Sequence, residues 1–187
     1  TSTNEVKNKF PEGFNILFAG NIGTAQSFDT IVEAIDLIKK EQINIIVLGD
    51  GRDKERSQEK IKTLGLSHKF YFLGSHPSES MPEYFAAADA LLITLKKADI
   101  FSYTIPGKLQ SYLACGKPII GALDGIGKQI IEVSNSGLCV DAEDVVGLSE
   151  KMIKMNKMPP KELLIFGNSG LDYFNNHFNK EKLLNDF

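Results

Sequence analysis

The sequence predicts an α/β domain built on a six-stranded parallel sheet, doubly wound, with strand order 3-2-1-4-5-6. Three observations predict it. Six apolar runs of strand length recur along the chain: "FNILFAG" (14–20), "INIIVLGD" (43–50), "FYFLG" (70–74), "DALLITL" (89–95), "KPIIGAL" (117–123) and "GLCVD" (137–141). Most are nearly continuous in apolar residues, as a parallel strand covered on both faces must be. Stretches of helical period separate them, and this alternation is the pattern of a doubly wound sheet. Right-handed crossovers then favour the stated order.

The elements follow one another from there. Phe28, Ile31, Val32, Ile35 and Ile38 repeat at three and four and predict the first helix. Helices also fit 53–65, 126–134, 144–156 and 160–175. Met81, Tyr84, Phe85 and Ala88 share one helical face, as do Leu109, Tyr112 and Leu113. The opening "TSTNEVKNKFPEGF" is a polar lead-in, so 1–13 reads as a linker, 14–175 as the domain and 176–187 as a further short helix.

Bulk properties narrow the function. The chain has 187 residues, 42% hydrophobic and 24% charged, enough for a real core in one domain. Its net charge of −3 gives no reason to expect a nucleic-acid partner. Cys115 and Cys139 lie in apolar runs without metal-ligand spacing and read as two buried thiols in a reducing compartment. No targeting segment or membrane-length apolar run is visible in the given sequence. No metal cluster is seen, and His68, His76 and His177 are too scattered to make a nucleophile–base pair.

In the predicted order the chain reverses between strands 1 and 4, and their carboxyl ends leave a crevice where ligands bind. The loops there are unusual. After strand 4 comes "LKKADIFSYTIPGK" (95–108), the longest strand-to-helix connection in the chain. Pro106 suits the first helical turn, and Gly107 permits close approach of a ligand to the backbone. The helix start offers unpaired amides to an anion, and Lys108 adds a mobile charge.

After strand 1 comes "GNIGTAQ" (20–26), where Gly20 and Gly23 flank a tight turn and Asn21 and Gln26 offer uncharged hydrogen-bonding groups. It is neither GxGxxG nor a Walker loop. After strand 2, Gly49 and Gly51 predict a sharp turn that lets Arg52 reach toward the crevice. After strand 3, His76 beside Pro77 reads as a loop histidine, not a catalytic one. After strand 5, Asp124 reads either as an acceptor for a sugar hydroxyl or as a helix cap. Lys117 reads as a solvated lysine ahead of a strand.

Five segments in order, "FAGNIGTAQSFDTIVEA", "VLGDGRDKE", "FLGSHPSESMPEYFAAADALLI", "YTIPGKLQSYLACGKPIIGALDG" and "SGLCVDAED", resemble the C-terminal, donor-binding domain of retaining GT-B glycosyltransferases of family 4. They are similar above all to the bacterial branch that uses N-acetylated deoxysugars such as N-acetyl-fucosamine. The resemblance implies a Rossmann-like half of a GT-B fold and transfer of a hexose or N-acetylated deoxysugar, with retention, in surface-polysaccharide synthesis.

It also implies roles. The donor is a nucleotide-sugar, UDP-linked, with no metal or other cofactor. Gly20, Asn21, Gly23, Gln26 and Gly51, with Ile105, Pro106, Gly107 and Lys108, surround the donor diphosphate, and Arg52 assists. Lys108 stabilises the leaving group. Gly74, Ser75 and His76 lie near the nucleobase. Ser111 and Tyr103 stand where many members carry glutamates for the ribose and the sugar, so Gln110 or Ser111 takes over the ribose, and Asp124 completes the set.

The partners implied are a missing N-terminal, acceptor-binding domain and a lipid-linked glycan acceptor. The location implied is the cytoplasm or the inner face of the cytoplasmic membrane. On this reading the chain alone is an inactive half, and Phe174, Phe178 and Leu183 lose packing without the other domain. The alternatives are a GT-B sugar-nucleotide epimerase half, which wants acid–base groups in the crevice, and a non-catalytic nucleotide-binding module. A dinucleotide oxidoreductase lacks its fingerprint here.

Overall fold

A computed structural model describes residues 3–178. In chain order the elements are α1 (Thr3–Lys7), β1 (Phe14–Ala19), α2 (Phe28–Leu37), β2 (Ile43–Leu48), α3 (Lys54–Thr63), β3 (Phe70–Gly74), α4 (Met81–Ala87), β4 (Ala90–Thr94), α5 (Asp99–Ser102), α6 (Gly107–Ala114), β5 (Ile119–Ala122), α7 (Gly125–Val133), β6 (Gly137–Val140), α8 (Val145–Asn156) and α9 (Pro160–His177). The six strands form one parallel sheet in the order β3-β2-β1-β4-β5-β6, as the alternation predicts.

The continuous apolar runs resolve into two faces. Ile16 and Phe18 of β1 face one core with Phe28, Ile31, Val32 and Ile35 of α2 and Leu148 and Met152 of α8. Leu17 and Ala19 face the other, with Tyr84 and Phe85 of α4, Leu109, Tyr112 and Leu113 of α6 and Ile131 of α7. A strand between two helical layers needs apolar residues on both sides, hence no alternation in its sequence. Each fully buried Ile, Leu or Phe side chain contributes about 1.5–3 kcal/mol relative to exposure.

The lead-in is more ordered than its polarity suggests. Residues 3–7 form α1, Val6 is wholly buried against the second core, and Phe10 packs beside it. A five-residue helix is not stable by itself, so α1 is held by its packing on α4. At the other end α9 runs unbroken through position 175 to His177. Phe174 and Phe178 are partly buried against the second core, so both retain packing in this chain. Leu183 and the rest of 179–187 lie outside the described residues.

Two expectations need correction. Lys117 is half-buried, not solvated: its Nζ donates to the Ala88 carbonyl at 2.8 Å. It braces the C-terminal side of α6 against the end of α4. Cys115 and Cys139 are free thiols, but they are only partly buried, and burial raises the pKa of both, that of Cys139 to about 11. Among the described residues no helix is long and apolar enough to cross a membrane.

Candidate functional site

The carboxyl ends of β1, β2 and β3 meet the start of α6 at one crevice. β1 ends at Ala19, and the chain turns at Gly20, whose φ of +145° is a glycine conformation. The loops after β1 and β2 are then stitched together by backbone bonds. Gly20 N–H donates to Leu48 (2.9 Å), Ile22 N–H to Asp50 (2.8 Å), and Asp53 N–H back to Ile22 (3.0 Å). Gly49, at φ +133°, lies so close to the Gly20 carbonyl that a Cβ would overlap it. Gly51 is fitted in the same way against Ile22, with the Asn21 carboxamide oxygen 2.5 Å from where its Cβ would stand. Gly51 is thus a packing glycine beneath the first loop. Gly23 opens the following 3-10 turn, Thr24–Gln26.

That turn is anchored to β4. Thr94 Oγ1 donates to the Gln26 carbonyl at 2.5 Å, and Lys96 N–H donates to Ala25 at 3.0 Å. The Gln26 side chain turns inward, where Oε1 accepts a hydrogen bond from Lys108 Nζ. The ammonium also stands 4.7 Å from the centroid of the Phe18 ring. A Cβ on Gly20 would fall 2.8 Å from Nζ, so the absence of a side chain at Gly20 is what admits the lysine.

Lys108 is therefore held in place, not mobile. Burial pushes its pKa down to about 8. The Phe18 ring and the Gln26 carboxamide stabilise the charged form, but neither is a counter-ion.

α6 begins differently from its expected form. Pro106 is the N-cap residue, with φ −62° and ψ 125°, and Gly107 is the first helical position. Pro106 packs on Gly127 of α7, whose Cβ would lie 3.2 Å from Pro106 Cδ. Gly107 is exposed, and a Cβ there would meet nothing within 4 Å. The Leu109 N–H of the first turn bonds back to the Pro106 carbonyl at 2.9 Å, and open space faces the amides of Gly107 and Lys108 ahead of it.

On the opposite wall, Gly74 (φ +78°) accepts from Gly49 N–H at 2.8 Å. His76 Nε2 lies 3.1 Å from the Leu73 carbonyl, and Nδ1 lies 3.2 Å from the Tyr84 hydroxyl. A carbonyl only accepts, so Nε2 donates, while Nδ1 shares a hydrogen bond with the Tyr84 hydroxyl. Both ring nitrogens are thereby occupied. Gly20, Leu48, Gly49, Ser75, His76 and Met81 line a cavity of about 200 Å³ here.

Arg52 is exposed. Tyr103 is 78% exposed. Ile105 lines a separate apolar groove with Ile126, Val133, Tyr173 and Phe178. Gln110 is half-buried and Ser111 exposed on α6. Asp124 makes no side-chain cap to α7, although it is the N-cap residue; its Oδ1 accepts from Ala142 N–H at 3.0 Å and ties down the loop after β6. A larger polar cleft of about 310 Å³ lies around the start of α2. Two of its carboxylates are paired, Asp29 with Arg56 at 2.9 Å and Glu33 with Lys60 at 2.6 Å.

Sequence reasoning missed three supports of the site. Phe18 underlies the ammonium. Thr94 fixes the Gln26 backbone. The Tyr112 hydroxyl, fully buried, accepts from Ala19 N–H at 3.1 Å and donates to Leu92 at 3.3 Å, so it locks the end of β1 to β4. A threonine or tyrosine on an otherwise apolar face was the available signal, because buried hydroxyls require partners.

Comparison with known proteins agrees with the fold. Residues 2–170 match the family model described as glycosyl transferases group 1. WcaI of Escherichia coli (strain K12), provisionally named a colanic acid biosynthesis glycosyl transferase, is 26% identical over 176 residues, covering 92% of this chain and 41% of that protein. The 2-deoxystreptamine N-acetyl-D-glucosaminyltransferase of Streptomyces fradiae is 30% identical over 104 residues, 55% of this chain and 23% of that one. The chain thus spans less than half the length of these relatives.

Among solved structures, Anabaena Alr3699/HepE in complex with UDP and glucose superposes with a TM-score of 0.80 at 15% identity, covering 98% of this chain and 51% of that chain. The C-terminal domain of a glycosyl transferase group 1 family protein (LpcC) from Francisella tularensis gives 0.77 at 19% identity and covers 96% of this chain and 94% of that one. These two show the shared sheet and helix arrangement. Because the family model spans nearly the whole chain, this protein belongs to the glycosyl transferases group 1 family.

Proposed function

We propose that this chain is the donor-binding half of a retaining glycosyltransferase, holding a UDP-sugar in the crevice between the β1 loop and α6. One observation carries the reading. Lys108 is a largely buried cation without a carboxylate partner among the described residues, next to a helix start that faces open space. A diphosphate fits that combination, since helix amides and a lysine both favour phosphate oxygens. The cavity beside Ser75 and His76 suits the nucleobase, with the histidine as a wall and not as a base. Binding of UDP by structurally similar proteins supports the choice of nucleotide.

In the reaction, the bond between the anomeric carbon and the diphosphate oxygen breaks. The acceptor hydroxyl attacks from the same face, and its proton passes to the departing diphosphate. Lys108 and the α6 amides stabilise the charge that develops on the leaving group, the kind of electrostatic assistance that usually contributes most to such a step.

The acceptor is held by a second domain, which residues 1–13 join and to which 176–187 return. The sugar is a hexose or an N-acetylated deoxysugar of the N-acetyl-fucosamine type. The acceptor is a lipid-linked glycan at the inner face of the cytoplasmic membrane. Titration calorimetry with UDP tests the core of this reading: Lys108→Ala weakens binding at least tenfold. Unchanged affinity in that variant means the diphosphate lies elsewhere. A thermal-shift panel of nucleotide sugars then identifies the base and sugar, and turnover by the isolated chain would refute the half-enzyme.

A further inference from the structure

We propose that Gln26 is the positioning residue of this site: its uncharged carboxamide fixes the Lys108 ammonium beneath Gly20 without neutralising it, so that an incoming diphosphate is the first counter-charge the lysine meets. The proposal rests on the reading of Lys108 as the diphosphate group, and it concerns how that group is kept ready.

The geometry has three parts. Oε1 of Gln26 accepts directly from Nζ across 82 residues of sequence. The Phe18 ring lies 4.7 Å below, and the missing Cβ of Gly20 leaves the space above. Gln26 is itself immobilised, since its carbonyl accepts from Thr94 Oγ1 and its N–H donates to Gly23 at 3.0 Å. The carboxamide is thus fixed in place before any ligand arrives.

The choice of partner is what matters. Elsewhere in the chain lysines pair with carboxylates, as Lys39 does with Asp36, Lys60 with Glu33 and Lys128 with Asp141. Lys69 and Lys117 donate to backbone carbonyls. Lys108 is held by a side-chain amide. A carboxylate at the same point would hold the ammonium as well, but it would neutralise it and repel phosphate oxygens.

The surrounding elements carry other titratable groups: Asp50, Arg52 and Asp53 after β2, His76 after β3, Lys96, Lys97, Asp99 and Tyr103 after β4, Asp124 after β5, and Tyr112 on α6 itself. None of them contributes to the lowered pKa of Lys108, which has burial as its cause. The Gln26 carboxamide beside it carries no charge of its own.

The test is UDP affinity by calorimetry from pH 7 to 10, above the titration of the phosphate itself at about 6, on the full 187-residue chain. The wild type loses affinity as pH rises past about 8. Gln26→Glu binds UDP at least tenfold more weakly at pH 7.5 and moves the midpoint of that loss upward, because a carboxylate favours the charged lysine. Gln26→Met removes the acceptor and moves the midpoint downward. A structural role alone lowers affinity without moving the midpoint, and an unmoved midpoint in either folded variant overturns the proposal. Lys108→Ala separates the two readings. If it binds UDP as the wild type does, the diphosphate assignment fails; if it binds weakly while the Gln26 variants keep the wild-type midpoint, only the positioning role fails.

Discussion

Lys108 stands one residue inside the start of α6, Lys117 three residues beyond its end, and burial lowers the pKa of both. Their settings otherwise differ. Lys117 sits near the negative pole of the helix, donates to the Ala88 carbonyl and has the favourable charge of Asp89 nearby. Lys108 sits at the positive pole, where a cation is disfavoured, and an amide and an aromatic ring hold it. Gly116 and Gly167 close the first end against α9. Gly107 leaves the second end open. One end is finished by intramolecular contacts, and the other, on the proposed reading, is completed by the donor diphosphate. The same residue type then serves the scaffold at one end and the ligand at the other.

The largest effect is expected where the closed end is broken. A Cβ at Gly167 would overlap the Gly116 carbonyl, so Gly167→Ala should cost about 3 kcal/mol of stability in urea denaturation. UDP affinity of the folded fraction should stay within about twofold, being a difference below about 0.5 kcal/mol. A large loss of affinity would mean that the two ends of α6 are coupled.

Next comes Lys108→Met. The folded pKa of about 8 lies below the ordinary lysine value, so the unfolded chain binds more protons between about 8 and 10.5. Wild-type stability therefore climbs with pH across that window, and the burial cost, on the order of 3 kcal/mol, is fully present below it. The methionine variant should be more stable than the wild type at pH 7, and the difference should vanish by about pH 10.5. Its UDP affinity should fall about a hundredfold, some 2.7 kcal/mol. A methionine variant less stable than wild type would place Lys108 in the scaffold alongside Lys117.

Two smaller effects sharpen the contrast. Gly107→Ala meets no atom within 4 Å, so stability should change by less than about 0.5 kcal/mol. UDP affinity should still fall about tenfold, about 1.4 kcal/mol, because the methyl group occupies the approach to the helix amides. Lys117→Met loses one hydrogen bond of about 1 kcal/mol and relieves a partly buried charge. The net stability change should stay within about 1 kcal/mol, with no change in UDP affinity.

How much of this was legible beforehand depends on whether the physics is local. The runs at 14–20 and 43–50 announce strands because covering both faces requires apolar residues throughout. Gly49 announces a turn because its φ of +133° is nearly closed to other residues. Even the helix start after the longest loop could be read, from Pro106-Gly107-Lys108. The segment around α1 was not legible: a single buried valine in a polar stretch has no period to detect. Nor was His76, whose ring is occupied by Leu73 and Tyr84 through a fold of the loop that no spacing records.

The sequence by itself determined the sheet, its strand order and the position of the crevice, because burial on two faces and right-handed crossovers follow from local pattern and chain handedness. Only the tertiary structure decided what each polar group in the crevice does. Gln26 reads alone as an uncharged partner for phosphate or a sugar hydroxyl, yet it meets Lys108 because β1 and β4 are neighbours and Thr94 draws the turn inward. Asp124 reads alone as a sugar acceptor or a cap, yet it bonds Ala142 because β5 and β6 end side by side. A polar side chain takes the partner that burial leaves within reach, and that partner is set by strands distant in sequence.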